Sequence, residues 1–282
     1  RDPALKAASA VTLGQIQATE YAPRLALDLA SINLAPVASN SRAQETVALG
    51  LVTSLWMMKE PVGFEPVFLA SIGWYSTVSK VKDTAKQAVA TMVDDPTDSL
   101  TNILGSNPDI SVKQMAVEAA FASKAPVARK LALLRKALRI GLDRVSSDLA
   151  DQRAAARFRT TVIQCLSSLG DRSPETVPML IEMIGMDKRS EASNDETLAA
   201  IVALGINGSE EAARFLSDRL MTYNNLERSG GNTVRDKSLI RQYVVSMKAS
   251  RNPAVRPALL DASRSDYDSS ITRLVADALV EV

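Results

Sequence analysis

Apolar and small residues recur along this sequence at spacings of three and four, with polar residues between them. Residues 112–121 are the clearest example, because small and apolar side chains fall on one side of a helical wheel while Lys113 and Glu118 fall on the other. A period of about 3.6 residues predicts an amphipathic α-helix. This short helix is the unit from which the rest of the chain is interpreted.

The same pattern returns along the whole sequence. It has an apolar residue at its first position, small or apolar residues at the fifth and sixth, a small residue at the eighth and an apolar residue at the ninth. Its copies begin at Leu5, Ala43, Val81, Val112, Thr161, Glu196, Ile240 and Ile271. A second helical stretch fits between successive copies, and a recurrent step of roughly 20–50 residues with two helices is typical of a helical repeat array.

Five prolines mark the second helix of the repeat. Each precedes an apolar run that leads to the next copy: Pro23, Pro66, Pro126, Pro178 and Pro257. Proline is tolerated in the first turn of a helix, so these positions predict where the partner helices begin. Two steps are longer than the others, and we expect insertions there, a polar helical one at 139–152 and a mobile loop at 221–237.

The repeated pattern resembles the HEAT-repeat family. The residues that carry the resemblance are the Val-Lys-x-x-Ala-x-x-Ala-Val run at 81–89, the proline that enters each partner helix, and the Leu-Gly pairs that end the helices Leu13-Gly14, Leu169-Gly170 and Leu204-Gly205. The resemblance extends from Leu5 to Leu279, although the copies at Ala43 and Thr161 fit poorly. Armadillo-type and tetratricopeptide arrays are the nearest alternatives, but the latter keep a regular 34-residue period that is not seen here.

The resemblance implies an all-α fold: one HEAT-like α-α superhelix, or solenoid, of about 7–8 helical hairpins over residues 1–282, without a β-sheet. HEAT-repeat proteins are usually scaffolds or adaptors. The resemblance therefore implies a non-catalytic protein that binds a protein partner on its solenoid surface.

Composition limits the chemistry that the chain can perform. It has no histidine and one cysteine, which removes the commonest general base, the usual zinc ligands and an intrachain disulfide. We therefore expect no catalytic residues, no cofactor and no metal site. Lysine and arginine exceed aspartate and glutamate by only one charge, so nucleic acid is an unlikely partner. No apolar run reaches the ~20 residues that span a bilayer.

Five of the twelve aromatic residues lie in one stretch: Trp56, Phe64, Phe68, Trp74 and Tyr75. The simpler interpretation is a thick local core between the second and third repeats. The alternative is an exposed hydrophobic patch for a partner, because Trp and Tyr often anchor interfaces. Under that alternative the partner-binding candidates are Trp56, Phe64, Trp74 and Tyr75.

Charge is distributed unevenly in the middle of the chain. Residues 129–159 contain nine cations and three acids, whereas residues 175–211 contain eight acids and two cations. The simpler interpretation is that the two blocks pair across neighbouring repeats. The alternative is a basic ridge, with Arg135, Lys136 and Arg139 as further partner-binding candidates. Such a ridge would bind an acidic protein, an anionic lipid or, least well, nucleic acid. The alternative function is therefore a HEAT-like enzyme or a nucleic-acid-binding array that uses residues 129–159.

Overall fold

The computed structural model describes residues 2–35, 42–186 and 194–282. These residues form fifteen α-helices and no β-strand, which confirms the predicted all-α class. The helices are α1 (Pro3–Gln15), α2 (Ala22–Asn33), α3 (Arg42–Met58), α4 (Phe64–Ile72), α5 (Val81–Thr91), α6 (Thr97–Ser106), α7 (Ile110–Ala122), α8 (Val127–Asp143), α9 (Leu149–Ser168), α10 (Thr176–Met186), α11 (Asn194–Asn207), α12 (Glu210–Arg228), α13 (Val234–Ser250), α14 (Arg256–Ala262) and α15 (Ser269–Glu281).

The repeat pattern corresponds to this order of helices. The eight predicted copies lie in the odd-numbered helices, and residues 81–89 and 112–121 fall inside the unbroken helices α5 and α7. Four of the marker prolines lie among the first three residues of an even-numbered helix, and Pro126 directly precedes α8. The prolines therefore located the partner helices correctly.

Two predicted helix starts are wrong. The copies at Thr161 and Ile240 begin in the interior of α9 and α13, which start at Leu149 and Val234. N-cap side chains set the true starts, because they accept hydrogen bonds from backbone N–H groups that have no partner within the helix. Asp148 accepts from Asp151 N at 2.8 Å, and Thr233 forms a capping box with Asp236.

The mobile loop expected at 221–237 is mostly helix. Since α12 runs to Arg228 and α13 begins at Val234, only residues 229–233 connect them. This turn is held by Asn232, whose Nδ2 donates to the Tyr223 carbonyl at 3.1 Å. In the region 139–152, α8 continues to Asp143 and α9 begins at Leu149.

The polar side of α7 also differs from the prediction. Lys113 lies on the buried face, with only 8% of its surface exposed, and its Nζ donates to the Leu104 carbonyl at 2.5 Å in the last turn of α6. Lys130 caps the end of α7 in the same way, through the carbonyls of Phe121 and Ser123. A lysine can bury its aliphatic stem while its ammonium group satisfies helix C-terminal carbonyls.

The chain divides into two compact units, Arg1–Leu133 and Leu134–Val282. In the first unit α1 packs on α3 and α3 on α5, while α2 packs on α4 and α4 on α6. In the second unit the corresponding packing joins α9, α11, α13 and α15 in one series and α10, α12 and α14 in another. In these two series, therefore, helices two apart along the chain are neighbours.

The two units share matching segments that the repeat pattern did not predict. Helices α3 and α13 both have 17 residues, and each is followed by a three-residue 3-10 helix that begins with proline, Pro61–Gly63 and Pro253–Val255. The residue just after each long helix is left-handed, with φ of 55° at Lys59 and 50° at Arg251. These features place Lys59 and Arg251 at equivalent positions.

Close helix contacts are also duplicated. A Cβ atom on Gly14 of α1 would lie 2.8 Å from the Cα of Ser54 in α3, and a Cβ atom on Gly205 of α11 would lie 2.8 Å from the Cα of Ser246 in α13. Glycine is needed at both positions because the neighbouring backbone leaves no room for a side chain.

An asparagine joins the partner helices in each unit. Asn33 donates to the Pro66 carbonyl at 2.8 Å and accepts from the Tyr75 hydroxyl at 2.5 Å. Asn224 donates to the Ala258 carbonyl at 3.2 Å and accepts from the Tyr267 hydroxyl at 2.9 Å. Each asparagine thus links one even-numbered helix to the next and to the segment that follows it.

Candidate functional site

Two of the four aromatic candidates belong to the core. Phe64 is 0% exposed and Tyr75 is 1% exposed, so a partner cannot contact either side chain in the folded protein. Burial, with a smaller contribution from the nearby Glu45 carboxylate, raises the pKa of the Tyr75 phenol. For these two residues the structure agrees with the simpler interpretation of a thick local core.

The two tryptophans are partly buried at the edge of this core. The indole of Trp74 stacks on Tyr75 with ring centroids 4.3 Å apart and donates to the Ile32 carbonyl at 3.1 Å. It lines a surface pocket of about 520 Å³ together with Arg42 and Val78. The indole of Trp56 donates to the Thr91 hydroxyl at 2.8 Å, which fixes its ring between α3 and α5.

The basic candidates are mostly held by acids of the same unit. Arg135 Nη2 lies 2.6 Å from Asp171 Oδ1, and Arg139 bonds both Asp143 and Glu182, the latter through two hydrogen bonds of 2.8 and 3.0 Å. Lys136 is exposed, and the described part of the chain places no carboxylate within 4 Å of it. Of these contacts, only that of Arg139 with Glu182 joins the basic block to the acidic block of residues 175–211, so they support the pairing of the blocks in part.

Three of the other five arginines of this stretch also contact acids, whereas Arg153 and Arg157 are exposed and have no carboxylate within 4 Å among the described residues. In the first unit Arg129 contacts Asp95 at 2.9 Å and Asp98 at 2.5 Å. In the second unit Arg144 contacts Asp151 at 2.6 Å. The remaining pair, Arg159 and Glu196, is buried, with a distance of 2.7 Å and side chains that are 9% and 8% exposed.

Asp171 is the centre of one buried polar network. Burial acts to raise the pKa of this carboxyl group, but hydrogen bonds from Arg135, Thr176 and the Ser173 N–H outweigh it and hold the pKa below its usual value. A carboxylate with a depressed pKa in the folded state stabilises the fold above the unfolded-state value, and this contribution is lost as the pH falls through the folded-state value.

Asp171→Asn is therefore expected to reduce the acid sensitivity of the fold. The unfolded carboxyl group titrates near about pH 4, so the free energies of unfolding of wild type and variant should differ most above that pH and converge below it. Urea unfolding between neutral and acidic pH measures the difference. Asp143→Asn, which removes an exposed carboxylate that contacts Arg139, is the control. A difference in free energy of unfolding between wild type and Asp171→Asn that stays constant with pH would contradict the prediction.

Helix ends of the first unit carry an exposed apolar surface. Ile16 is 67% exposed and Met57 is 38% exposed. The side-chain amide of Gln17 joins their segments by donating to the Met57 carbonyl at 2.9 Å. We name Ile16, Trp56 and Met57 the apolar helix-end surface.

The equivalent positions of the second unit form a basic pocket. Lys248 stands where α3 has Trp56, and its contact with Glu281 at 2.9 Å parallels the contact between Trp56 and Thr91. Arg172 and Arg251 line the same pocket, whose volume is about 610 Å³. We name Arg172, Val245, Lys248, Arg251 and Glu281 the basic helix-end pocket.

Sequence patterns identified only Trp56 among the residues of these two surfaces. The others are single positions at the ends of helices, and Arg172 lies far from Lys248 and Arg251 in the chain. A signal was present in the matching Leu-Gly pairs, since Gly14 and Gly205 both precede a left-handed turn residue, Gln17 and Gly208 respectively. A second match, Lys59-Glu60-Pro61 with Arg251-Asn252-Pro253, would have paired Trp56 with Lys248.

Membrane-spanning helices and metal-binding clusters are both absent from the part of the chain that the structure describes. None of its helices combines the length and the apolar character needed to cross a membrane. In the same residues, no group of three or more Cys, Asp or Glu side chains is placed so that it could hold a metal ion.

Comparisons with protein-family models, with curated proteins and with solved structures found no match for this chain.

Proposed function

We propose that this protein is a non-catalytic scaffold or adaptor, a HEAT-like α-solenoid that binds a partner protein through exposed helix ends. The proposal is supported by the packing of helices two apart along the chain in each unit. It is also supported by the duplicated glycine and asparagine contacts, since regular stacking of this kind is how repeat proteins build binding surfaces.

The observation that carries the proposal is the apolar helix-end surface. Ile16 and Met57 are exposed on segments that Gln17 links, and Trp56, which precedes Met57 in α3, has its ring held in place by its hydrogen bond to Thr91. Tryptophan and methionine are enriched in protein interfaces, and a pre-oriented aromatic ring loses little conformational freedom on binding. An apolar group of this kind on a rigid helix end suits a complementary apolar segment of another protein.

The alternative functions receive less support. A nucleic-acid-binding or enzymatic use of residues 129–159 requires cations that are free to meet phosphate or substrate. Arg135, Arg139 and Arg159 are instead engaged by Asp171, Glu182 and Glu196. Breaking these pairs would offset much of the free energy gained from a phosphate contact.

The test is a double substitution, Ile16→Asp with Met57→Asp. We expect the tagged wild-type chain to recover one protein in a 1:1 ratio from an extract of the source organism, and the variant to lose it. The two residues are exposed, so the melting temperature should change little, as for surface substitutions within about 0.5 kcal/mol.

The control is Val145→Asp, because Val145 is 92% exposed and lies outside the apolar helix-end surface. This variant should recover the same protein as the wild type. Recovery of an unchanged set of proteins by the Ile16 and Met57 variant, or recovery of nucleic acid as the only stoichiometric partner, would reject the proposal.

A further inference from the structure

The basic helix-end pocket gathers cations from two separate segments, the turn after α9 and the end of α13. Arg172 follows α9, Lys248 lies in the last turn of α13, and Arg251 directly follows α13. Glu281 of α15 is the one acidic residue among the lining residues of this pocket, and it contacts Lys248 at 2.9 Å. In the part of the chain that the structure describes, Arg172 and Arg251 have no carboxylate within 4 Å, so the pocket keeps an excess of positive charge.

Arg251 occupies the left-handed turn that follows α13, with φ of 50°. Equivalent turns after α9 and α11 use Gly170 and Gly208, whereas those of the first unit use Gln17 and Lys59, each with φ of 55°. The left-handed backbone is therefore a feature of the repeated turn. Because glycine adopts this region freely, a glycine at position 251 would keep the turn and remove only the cation.

The pocket also has an apolar wall. Val245 is 43% exposed, and Ile206 and Ala249 line the same space. A small inorganic anion has no apolar group to contact this wall, and a nucleic acid would place charged phosphates against it. A peptide that carries both carboxylates and an apolar side chain would match the cations and the wall together.

Glu281 shows that a side-chain carboxylate fits this position. It reaches Lys248 from the neighbouring helix and leaves Arg172 and Arg251 for other acids. We propose that the basic helix-end pocket binds an acidic segment of a partner protein, with Arg172 and Arg251 as its principal carboxylate-binding residues and Val245 as the contact for an apolar side chain.

This inference rests on the proposed function, since it assigns the chemistry of one partner segment. The two tests are separate: recovery of the partner depends on Ile16 and Met57, whereas the pocket is tested with a synthetic peptide and substitutions in the second unit. Failure to recover a partner therefore does not imply failure of peptide binding, and the reverse also holds.

The probe is a short fluorescent peptide of Asp, Glu and Leu, titrated with the full chain and followed by fluorescence anisotropy. We expect saturable binding that weakens as KCl is raised, because the contacts are partly exposed charge pairs. Arg251→Gly and Arg172→Gln should each weaken binding roughly tenfold, as expected when one charge-assisted contact is lost. Arg264→Gln, which removes an exposed cation outside the pocket, should bind as the wild type does.

Arg251→Gly keeps the test independent of folding. Glycine relieves the left-handed backbone, so the melting temperature of this variant should equal or exceed that of the wild type. The inference is overturned if the peptide does not bind, if Arg251→Gly and Arg172→Gln bind it as tightly as the wild type, or if single-stranded DNA of equal charge binds the same residues more tightly.

Discussion

Arg159→Met is expected to lower the free energy of unfolding by about 3–5 kcal/mol, the usual cost of leaving one member of a buried ion pair alone. Arg159 Nε donates to Glu196 Oε1 at 2.7 Å, and its Nη1 donates to the Gly141 carbonyl at 2.9 Å. Without the guanidinium group, the Glu196 carboxylate would remain buried without its cation. Urea unfolding followed by circular dichroism measures the change.

The double variant Arg159→Met with Glu196→Leu provides the control. Replacing both charges by apolar side chains of similar volume is often neutral, so much of the lost stability should return. A double variant as unstable as Arg159→Met alone would show that the loss comes from packing around α9 and not from the uncompensated charge. An Arg159→Met variant with unchanged stability would contradict the prediction directly.

Asn224→Ala is expected to cost about 2–4 kcal/mol. The side chain is fully buried, donates hydrogen bonds to the Ala258 carbonyl and Asp261, and accepts one from the Tyr267 hydroxyl. Its removal leaves two or more buried polar groups without partners, and each such group costs about 1–3 kcal/mol, part of which relaxation recovers. Thermal and urea unfolding of the variant measure the loss.

Asn225→Ala is the matched control, because Asn225 is the next residue of α12 and is exposed. It should cost well under 1 kcal/mol, as surface substitutions usually do. The equivalent substitution in the first unit, Asn33→Ala, should destabilise that unit through the loss of the Pro66 and Tyr75 bonds. Equal losses in the free energy of unfolding for Asn224→Ala and Asn225→Ala would contradict the structural role assigned to Asn224.

The sequence predicted the helices well because their causes are local. Apolar spacing within a helix and proline in the first turn both depend on near neighbours, so α5, α7 and the partner helices were located from pattern alone. The starts of α9 and α13 were missed because the template detects apolar faces, whereas the caps Asp148 and Thr233 define where those helices begin.

The candidate sites were harder to predict because they depend on contacts between residues that are distant in sequence. Whether Arg135 is free depends on Asp171, which lies 36 residues away in the turn between α9 and α10 and comes close only in the folded second unit. Lys113 looked solvent-exposed from its charge, yet its ammonium group caps α6. The basic helix-end pocket joins residues from the ends of α9, α13 and α15, and no sequence window contains them all.

The duplicated contacts also create a hazard during folding. Helices α1 and α11 both present a glycine near their C-terminal ends, and α3 and α13 both present a serine, so this contact alone does not distinguish the native pairs from exchanged ones in a swapped dimer or a misassembled monomer. Gly50 of α3 does distinguish them, because a Cβ atom there would lie 2.8 Å from the Ala7 Cα of α1, and α13 has Gln242 at the equivalent position. Charge distinguishes the correct pairing. Glu45 of α3 accepts a hydrogen bond from the Ser76 N–H, whereas Arg241 of α13 contacts Asp268, so exchanging these helices would place two carboxylates near one another.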